Sequence, residues 1–290
     1  MAQLRMADAK GITMTDRPSQ KEYWSGKVGD EWASRARGID AMLWPMTEQA
    51  LVDAALQAGE SVLDIGCGAG ATSLEIARRV SPGGKVVGVD ISPQLLAVAR
   101  ERGAGLTIDF READAGSAEL GHRFDAAFSR FGVMFFEEPT RAFTHIRTQM
   151  KPGGRLVFIC WRPMAENGWA TTPVDVLRPI LIAPLPKPDP DAPGPFAFAD
   201  RAKVERILSD AGWSGVGVSA WDGDIQIGGG GSPTETAEFL LKIGPCARAI
   251  VDQGIDAEAA KARLMEHLAP KHGADGLKLS AACWIVSARA

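Results

Sequence analysis

The chain has no uninterrupted apolar run of the length a membrane span requires, so stable membrane insertion is not expected. It has no C-x-x-C pair: Cys67, Cys160, Cys246 and Cys283 are scattered, and Cys160 and Cys283 fall in apolar, strand-like runs. All four read as reduced, small apolar side chains, which argues against a disulfide framework and a thiolate metal site. A long basic run is also missing. With 36 acidic against 32 basic residues the net charge is −4, which disfavours nucleic acid as a partner. Histidine is scarce (His122, His145, His267, His272), no metal triad is readable, and no catalytic base can be named. Residues 1–19 are polar and lack a signal peptide's apolar core, so a flexible tail on a soluble, cytoplasmic protein is expected.

What is present suits an ordinary α/β protein: 290 residues, 46% hydrophobic and 23% charged. Before any strand come two helical stretches. Residues 20–37 carry Tyr23, Trp24 and Trp32, and residues 40–58 carry Met42, Leu43, Leu51 and Leu56, with Gly59 as the stop. Apolar runs and helical patterns then alternate. Strands are expected at 61–65, 85–90, 106–111, 124–129 and 155–161, and helices at 71–80, from Pro93 after the Ser92 cap, and from Pro139. Lys151-Pro152-Gly153-Gly154 is expected to close the last of these helices.

Beyond Trp161 the pattern loosens. A helix is expected within 168–182, a proline-rich loop at 183–195, a helix at 200–211 and a strand at 213–221. Gly228–Gly231 reads as a flexible joint, followed by helices at 233–251 and 257–268 and a last strand at 277–288. The division that follows is a tail (1–19), N-terminal lid helices (20–59), a ligand-binding core (60–161), a substrate-side insertion (162–199), core continuation (200–224), a helical lid insertion (225–276) and a final core strand (277–290).

The chemistry concentrates in Val62-Leu63-Asp64-Ile65-Gly66-Cys67-Gly68-Ala69-Gly70. An apolar strand passes into alternating glycines and then into a helix whose amides point at a ligand. Gly66, Gly68 and Ala71 also satisfy the relaxed dinucleotide fingerprint, so glycines alone do not discriminate. Asp64 does, because a carboxylate there repels a pyrophosphate but accepts hydrogen bonds from an ammonium group. Asp90 ends the second strand, where a carboxylate can take both ribose hydroxyls. Asp114-Ala115 follows the third, where a carboxylate and the next amide can read an adenine edge. The fourth strand ends in Ser129-Arg130-Phe131-Gly132.

In this order, the segments of residues 60–161 resemble the class I S-adenosylmethionine (SAM)-dependent methyltransferases, and the chain is similar to the quinone-biosynthesis and type 11 small-molecule members. Lys151-Pro152-Gly153-Gly154-Arg155-Leu156 is a frequent phrase among them. The resemblance implies a Rossmann-like, seven-stranded, mostly parallel sheet with helices on both faces and an antiparallel last strand. It implies SAM as cofactor and S-adenosylhomocysteine as product. It assigns Asp64, Gly66, Gly68, Asp90, Asp114, Ala115 and Ser129 or Arg130 to the cofactor site; Cys67 and Gly70 in the loop and Ile91 beside Asp90 join them. Tyr23 and Trp24 have two readings, packing the first helix down or contacting the ligand.

Ser-Arg-Phe-Gly is not the Asp/Asn-Pro-Pro-Tyr/Phe of many enzymes that methylate amines on nucleic acids and proteins, which disfavours such a substrate. Met134, Phe135, Phe136, Trp161, Met164, Trp169, Phe196 and Phe198 cluster after the fourth and fifth strands and suggest a small apolar or aromatic acceptor, methylated on oxygen or carbon. An NAD(P)-dependent oxidoreductase explains the glycines and Asp90 but not Asp64 or Asp114, and with Tyr23 the only tyrosine there is no Tyr-x-x-x-Lys pair. A non-catalytic SAM-binding protein, an RNA methyltransferase and a homodimer stay open at this stage.

Overall fold

The computed structural model describes residues 19–185 and 189–290; the expected tail, apart from Ser19, and the middle of the proline-rich stretch lie outside the described residues. Among the described residues eight strands form the sheet: β1 (Ser61–Ile65), β2 (Lys85–Asp90), β3 (Ile108–Glu112), β4 (Phe124–Arg130), β5 (Met150–Trp161), β6 (Ser214–Gln226), β7 (His272–Gly273) and β8 (Gly276–Arg289). Val62, Leu63, Ile65, Val86, Val87 and Val89 are buried, as apolar runs must be in a parallel sheet covered on both faces.

The order is β3-β2-β1-β4-β5-β8-β6, with β7 pairing only with β8. β1 to β5 are mutually parallel, and β8 runs antiparallel to both β5 and β6. The expected mostly parallel sheet with an antiparallel last strand is therefore observed. Strand order reverses between β1 and β4, and that switch point opens the crevice at the strands' C-terminal ends.

The helices are α1 (Gln20–Trp24), α2 (Lys27–Ser34), α3 (Ala36–Asp53), α4 (Ala71–Arg79), α5 (Pro93–Arg102), α6 (Pro139–Thr148), α7 (Gly168–Leu177), α8 (Arg201–Asp210), α9 (Pro233–Leu240), α10 (Pro245–Gln253) and α11 (Ala257–Leu268). Local caps explain several starts. Ser92 accepts from Leu95 N–H with Pro93 in the first turn, Asp200 caps α8, and Ser232 with Glu235 forms a capping box on α9.

Several boundaries differ from the sequence reading. The first helical stretch is two helices, α1 and α2, and α3 ends at Asp53 rather than at Gly59. Ala55, with φ 46°, takes the left-handed turn expected of the glycine. Lys151-Pro152-Gly153-Gly154 does not close α6, which stops at Thr148; the tetrapeptide lies inside β5, where the register against β4 shifts around Ala126. Its turn-forming residues serve a bulge. The expected helix 233–251 is split into α9 and α10, with Gly244 at φ 107° and Pro245 starting anew.

β6 and β8 also run longer than expected. Their pairing continues past Trp161↔Cys283 to Gln226↔Lys278, a two-stranded ribbon rising beyond β5. At its tip Gly228–Gly231, all at positive φ, are a close-packing joint and not a loose one. A Cβ on Gly38 of α3 would come within 2.5 Å of the Gly228 carbonyl oxygen, and one on Gly229 within 2.9 Å of Ala41 Cβ.

Candidate active site

The loop after β1 turns through Gly66, Gly68 and Gly70 at φ 64°, 54° and 83°. Cys67 N–H donates to the Val89 carbonyl at 3.0 Å, tying the loop to β2. A Cβ on Gly66 would come within 2.8 Å of Gly132 Cα, so only glycine lets this loop and the segment after β4 meet. Beside Gly68 a Cβ would meet nothing within 4 Å. The Cys67 side chain is buried there, and burial pushes its thiol well above its ordinary range, which removes it as a nucleophile.

Asp64 lies fully buried under the loop. Its Oδ2 accepts from Thr72 Oγ1 and Ser73 Oγ, each at 2.6 Å, while Oδ1 is buried with no partner. Burial raises its pKa to about 6; the two hydroxyls and the Arg130 charge pull the other way but do not cancel it. Asp90 is held rigidly: Oδ2 accepts from Gly68 N–H at 2.8 Å and Oδ1 from Ser92 N–H at 2.9 Å. Burial raises its pKa as well. Two carboxylates thus sit under and beside a glycine cradle, a surface hostile to a pyrophosphate.

Ala113 N–H donates to the Asp90 carbonyl and brings the end of β3 to the same edge. Asp114 stands exposed there, its carboxylate accepting from Gly116 N–H and Ser117 Oγ in a turn, with Ala115 buried next to it. Ser129 ties the end of β4 to the end of β1: its hydroxyl donates to the Ile65 carbonyl at 2.8 Å and accepts from Gly132 N–H at 3.2 Å. Arg130 donates from Nη2 to Asp40 Oδ1 at 2.6 Å, and its Nη1 is buried without a partner.

The N-terminal helices roof this crevice. Ser25 Oγ donates to the Ile91 carbonyl at 3.5 Å, and Gln94 Nε2 donates to the Ser25 carbonyl at 2.6 Å. Trp24 meets Phe135 edge-on at 5.2 Å and Trp32 at 5.3 Å, with Tyr23 on its outer side at 5.5 Å. Trp24 therefore packs the roof against the segment after β4.

Next to it, past the ends of β4 and β5, stands an aromatic wall. Phe131 stacks on Trp161 at 4.2 Å, Trp161 meets Trp169 at 4.8 Å, and Trp169 meets Phe196 at 6.3 Å. Phe131 holds φ 62°, a conformation rare outside glycine, at the strand end facing the crevice. Asn167 fixes the wall's base, accepting from Trp169 Nε1 and Ala282 N–H on one oxygen. The histidines are engaged elsewhere: His145 Nε2 lies 2.9 Å from the Ala118 carbonyl oxygen, and His272 Nε2 3.1 Å from Thr236 Oγ1. Among the described residues no cluster of metal-ligating side chains is found.

Sequence reasoning missed Thr72, Ser73, Asp40 and Arg102. The first pair was findable, since hydroxyls in the first turn of α4 are the natural donors to a buried Asp64. Asp40 and Arg102 carry no local signal, being charges on helices whose partners lie far along the chain.

Residues 62–154 match the family model described as a methyltransferase domain. An uncharacterized protein of Mycobacterium tuberculosis is 30% identical over 171 residues, covering 58% of this chain and 59% of its own. Demethylmenaquinone methyltransferase of Thermus thermophilus is 37% identical over 122 residues, 41% of this chain and 55% of that enzyme. The chain thus spans under two thirds of the length of these curated relatives. Among solved structures, the YcgJ protein of Bacillus subtilis shares the fold with a TM-score of 0.52 at 17% identity, over 86% of this chain and 97% of its own. The segment that resembles a methyltransferase domain, residues 62–154, is the one that carries the glycine cradle and strands β1 to β4.

Proposed function

We propose that this chain is a methyltransferase that takes a methyl group from SAM and places it on an oxygen or carbon of a small apolar or aromatic molecule. The observation that carries the reading is the buried Asp64, whose Oδ1 has no partner beneath a glycine cradle closed by Asp90. An orphaned buried acceptor costs about 1–3 kcal/mol, and a cationic ammonium is the group that satisfies it. The open space at Gly68 admits a ligand to bare backbone, so the residues present fit this cofactor.

The bound cofactor would supply a methyl on a sulfonium, whose sulfur leaves readily as a neutral thioether. The protein's own work is then alignment and exclusion of water. Asp64 holds the ammonium end, Asp90 the ribose hydroxyls and Asp114-Ala115 the adenine edge. The roof of α1 and α2 acts as a lid through Trp24, and its contacts on Ile91 and Phe135 cover the crevice. The wall of Phe131, Trp161, Trp169 and Phe196 supports an apolar or aromatic acceptor beside the reacting methyl. A small acceptor rather than nucleic acid is further supported by the net charge of −4.

Incubation with methyl-labelled SAM and a panel of phenols, quinols, aliphatic alcohols, amines and RNA tests this. Label on a hydroxylated aromatic or an activated ring carbon is expected. Label confined to amines or RNA would contradict the acceptor class. Binding of the cofactor without transfer to any acceptor would favour a non-catalytic SAM-binding protein.

A further inference from the structure

Helix α4 buries one flank and leaves the opposite one hollow. Thr72, Ser73 and Ile76 are its buried residues and carry it onto the sheet. Ala71, Leu74 and Arg78 recur about one turn apart on the far side, where they line a cavity of about 270 Å³. Ala41 and Trp44 of α3 form its second wall, and Asp40 and Arg102 stand at its edge. The cofactor crevice, with Asp64 under it, lies on the other flank of α4.

Folding leaves the apolar wall of this cavity uncovered. Trp44 and Leu74 are half-buried, yet among the described residues neither packs against the chain's two hydrophobic clusters. Trp44 also meets no other aromatic ring there, whereas Trp24, Trp32, Trp161 and Trp169 each do. An indole without a packing partner on a cavity wall is surface that a planar molecule can cover.

The charges around the cavity favour an anion. Asp40 accepts from two arginines, Arg102 at 2.8 Å and Arg130 at 2.6 Å. Glu75, next to Leu74, likewise serves two, Arg78 at 3.3 Å and Arg79 at 3.0 Å. Four guanidinium groups thus share two carboxylates, which leaves two positive charges over. Arg102 and Arg78, the two that line the cavity, use only Nη1 in these pairs, so Nε and Nη2 of each are left for a further acceptor. Arg102 Nη1 also donates to the Ala69 carbonyl at 3.2 Å, which fixes its guanidinium at the cavity edge.

We propose that this cavity is a second binding site, for a small aromatic carboxylate whose ring lies on Trp44 and Leu74 and whose charge is held between Arg102 and Arg78. Its volume limits the ligand to about one or two rings, since drug-sized molecules occupy about 300–1,000 Å³.

The test labels the full chain with 5-fluorotryptophan and titrates it with 1-naphthoate while the fluorine spectrum is followed. The Trp44 resonance is the one missing from Trp44→Phe. It is expected to shift with a Kd of about 1 mM or tighter. Arg78→Gln and Arg102→Gln should each weaken that binding at least about fivefold. So should replacing the ligand by 1-naphthol, which keeps the rings and loses the charge. Inorganic phosphate, charged but without a ring, should leave the resonance in place. The Arg78 side chain is 62% exposed, so its variant is expected to fold and carries the test if a thermal melt shows that Arg102→Gln does not.

A Trp44 resonance that stays still at about ten times that concentration would overturn the proposal. Equal affinity for 1-naphthol would do the same, because the arginines would then have no part in binding. Shifts confined to other tryptophans would place the ligand on the wall of Trp161 and Trp169 and also overturn it. The titration contains no cofactor, so none of these outcomes depends on the proposed use of SAM.

Discussion

The crevice at the ends of β1 and β2 and the wall beyond β4 and β5 are adjacent but built on opposite principles. In the crevice the decisive groups are two carboxylates whose pKa values burial raises, and one of them, the fully buried Asp64, leaves an oxygen without a partner. It is a site that costs stability until a cation arrives. The wall is made of stacked rings that are already in contact, Phe131 on Trp161 and Trp161 on Trp169. It adds stability whether or not anything binds. One region is stressed and specific, the other relaxed and permissive, which fits a fixed cofactor beside a more loosely defined acceptor.

The sharpest way to break that contrast is Trp161→Ala. Removing a ring buried between two others is expected to lower the unfolding free energy by about 3–5 kcal/mol in chemical denaturation. The fraction still folded should bind S-adenosylhomocysteine within about threefold of wild type. A large loss of affinity in that fraction would make the wall part of the cofactor site.

Asp64→Asn should act in the opposite direction. An acid whose folded pKa is raised binds more protons folded than unfolded. Its stability contribution therefore falls as pH rises from about 4 through about 6 and stays low above. At pH 7.5 the neutral amide should recover about 1–3 kcal/mol in the ligand-free protein, seen as a higher Tm, while S-adenosylhomocysteine binds at least about tenfold more weakly. Destabilisation at that pH would show that Asp64 is held by its hydroxyl donors more strongly than burial opposes it.

A smaller effect needs no mutation. Because the ammonium meets the ionised carboxylate, wild-type affinity should be flat from about pH 7 up to the point where the ligand's own ammonium titrates, and fall by up to about tenfold per pH step below pH 6. Affinity flat down to pH 5 would remove the Asp64 contact. Smallest of all is Ala55→Gly, outside both regions. Relieving φ 46° at the exposed end of α3 should raise stability by about 0.5 kcal/mol with binding unchanged.

The same contrast decides what could be read in the sequence. β1, β2 and α5 fall where expected because their signals are local: short apolar runs and Ser92-Pro93. The cradle was legible for the same reason, glycines and an aspartate within nine residues of chain from Val62 to Gly70. Lys151-Pro152-Gly153-Gly154 misled because the residues of a turn also serve a bulged strand. Gly228–Gly231 misled because consecutive glycines suit a close approach to α3 as well as a hinge. The Asp40–Arg130 pair spans 90 residues, and neither partner differs locally from a solvated charge. Such groups acquire meaning only when the sheet brings β4 beside α3.

If the cofactor reading holds, the two carboxylates of the crevice select an adenosyl amino acid over a dinucleotide. Calorimetric titration of the purified chain with SAM, S-adenosylhomocysteine, NAD and NADP, repeated on Asp90→Ala, tests it most directly. Micromolar binding of the two adenosyl sulfur ligands, a loss of about 100-fold in the variant, and no binding of either dinucleotide are expected. Binding of NAD or NADP in place of SAM would contradict it and turn the search to hydride transfer.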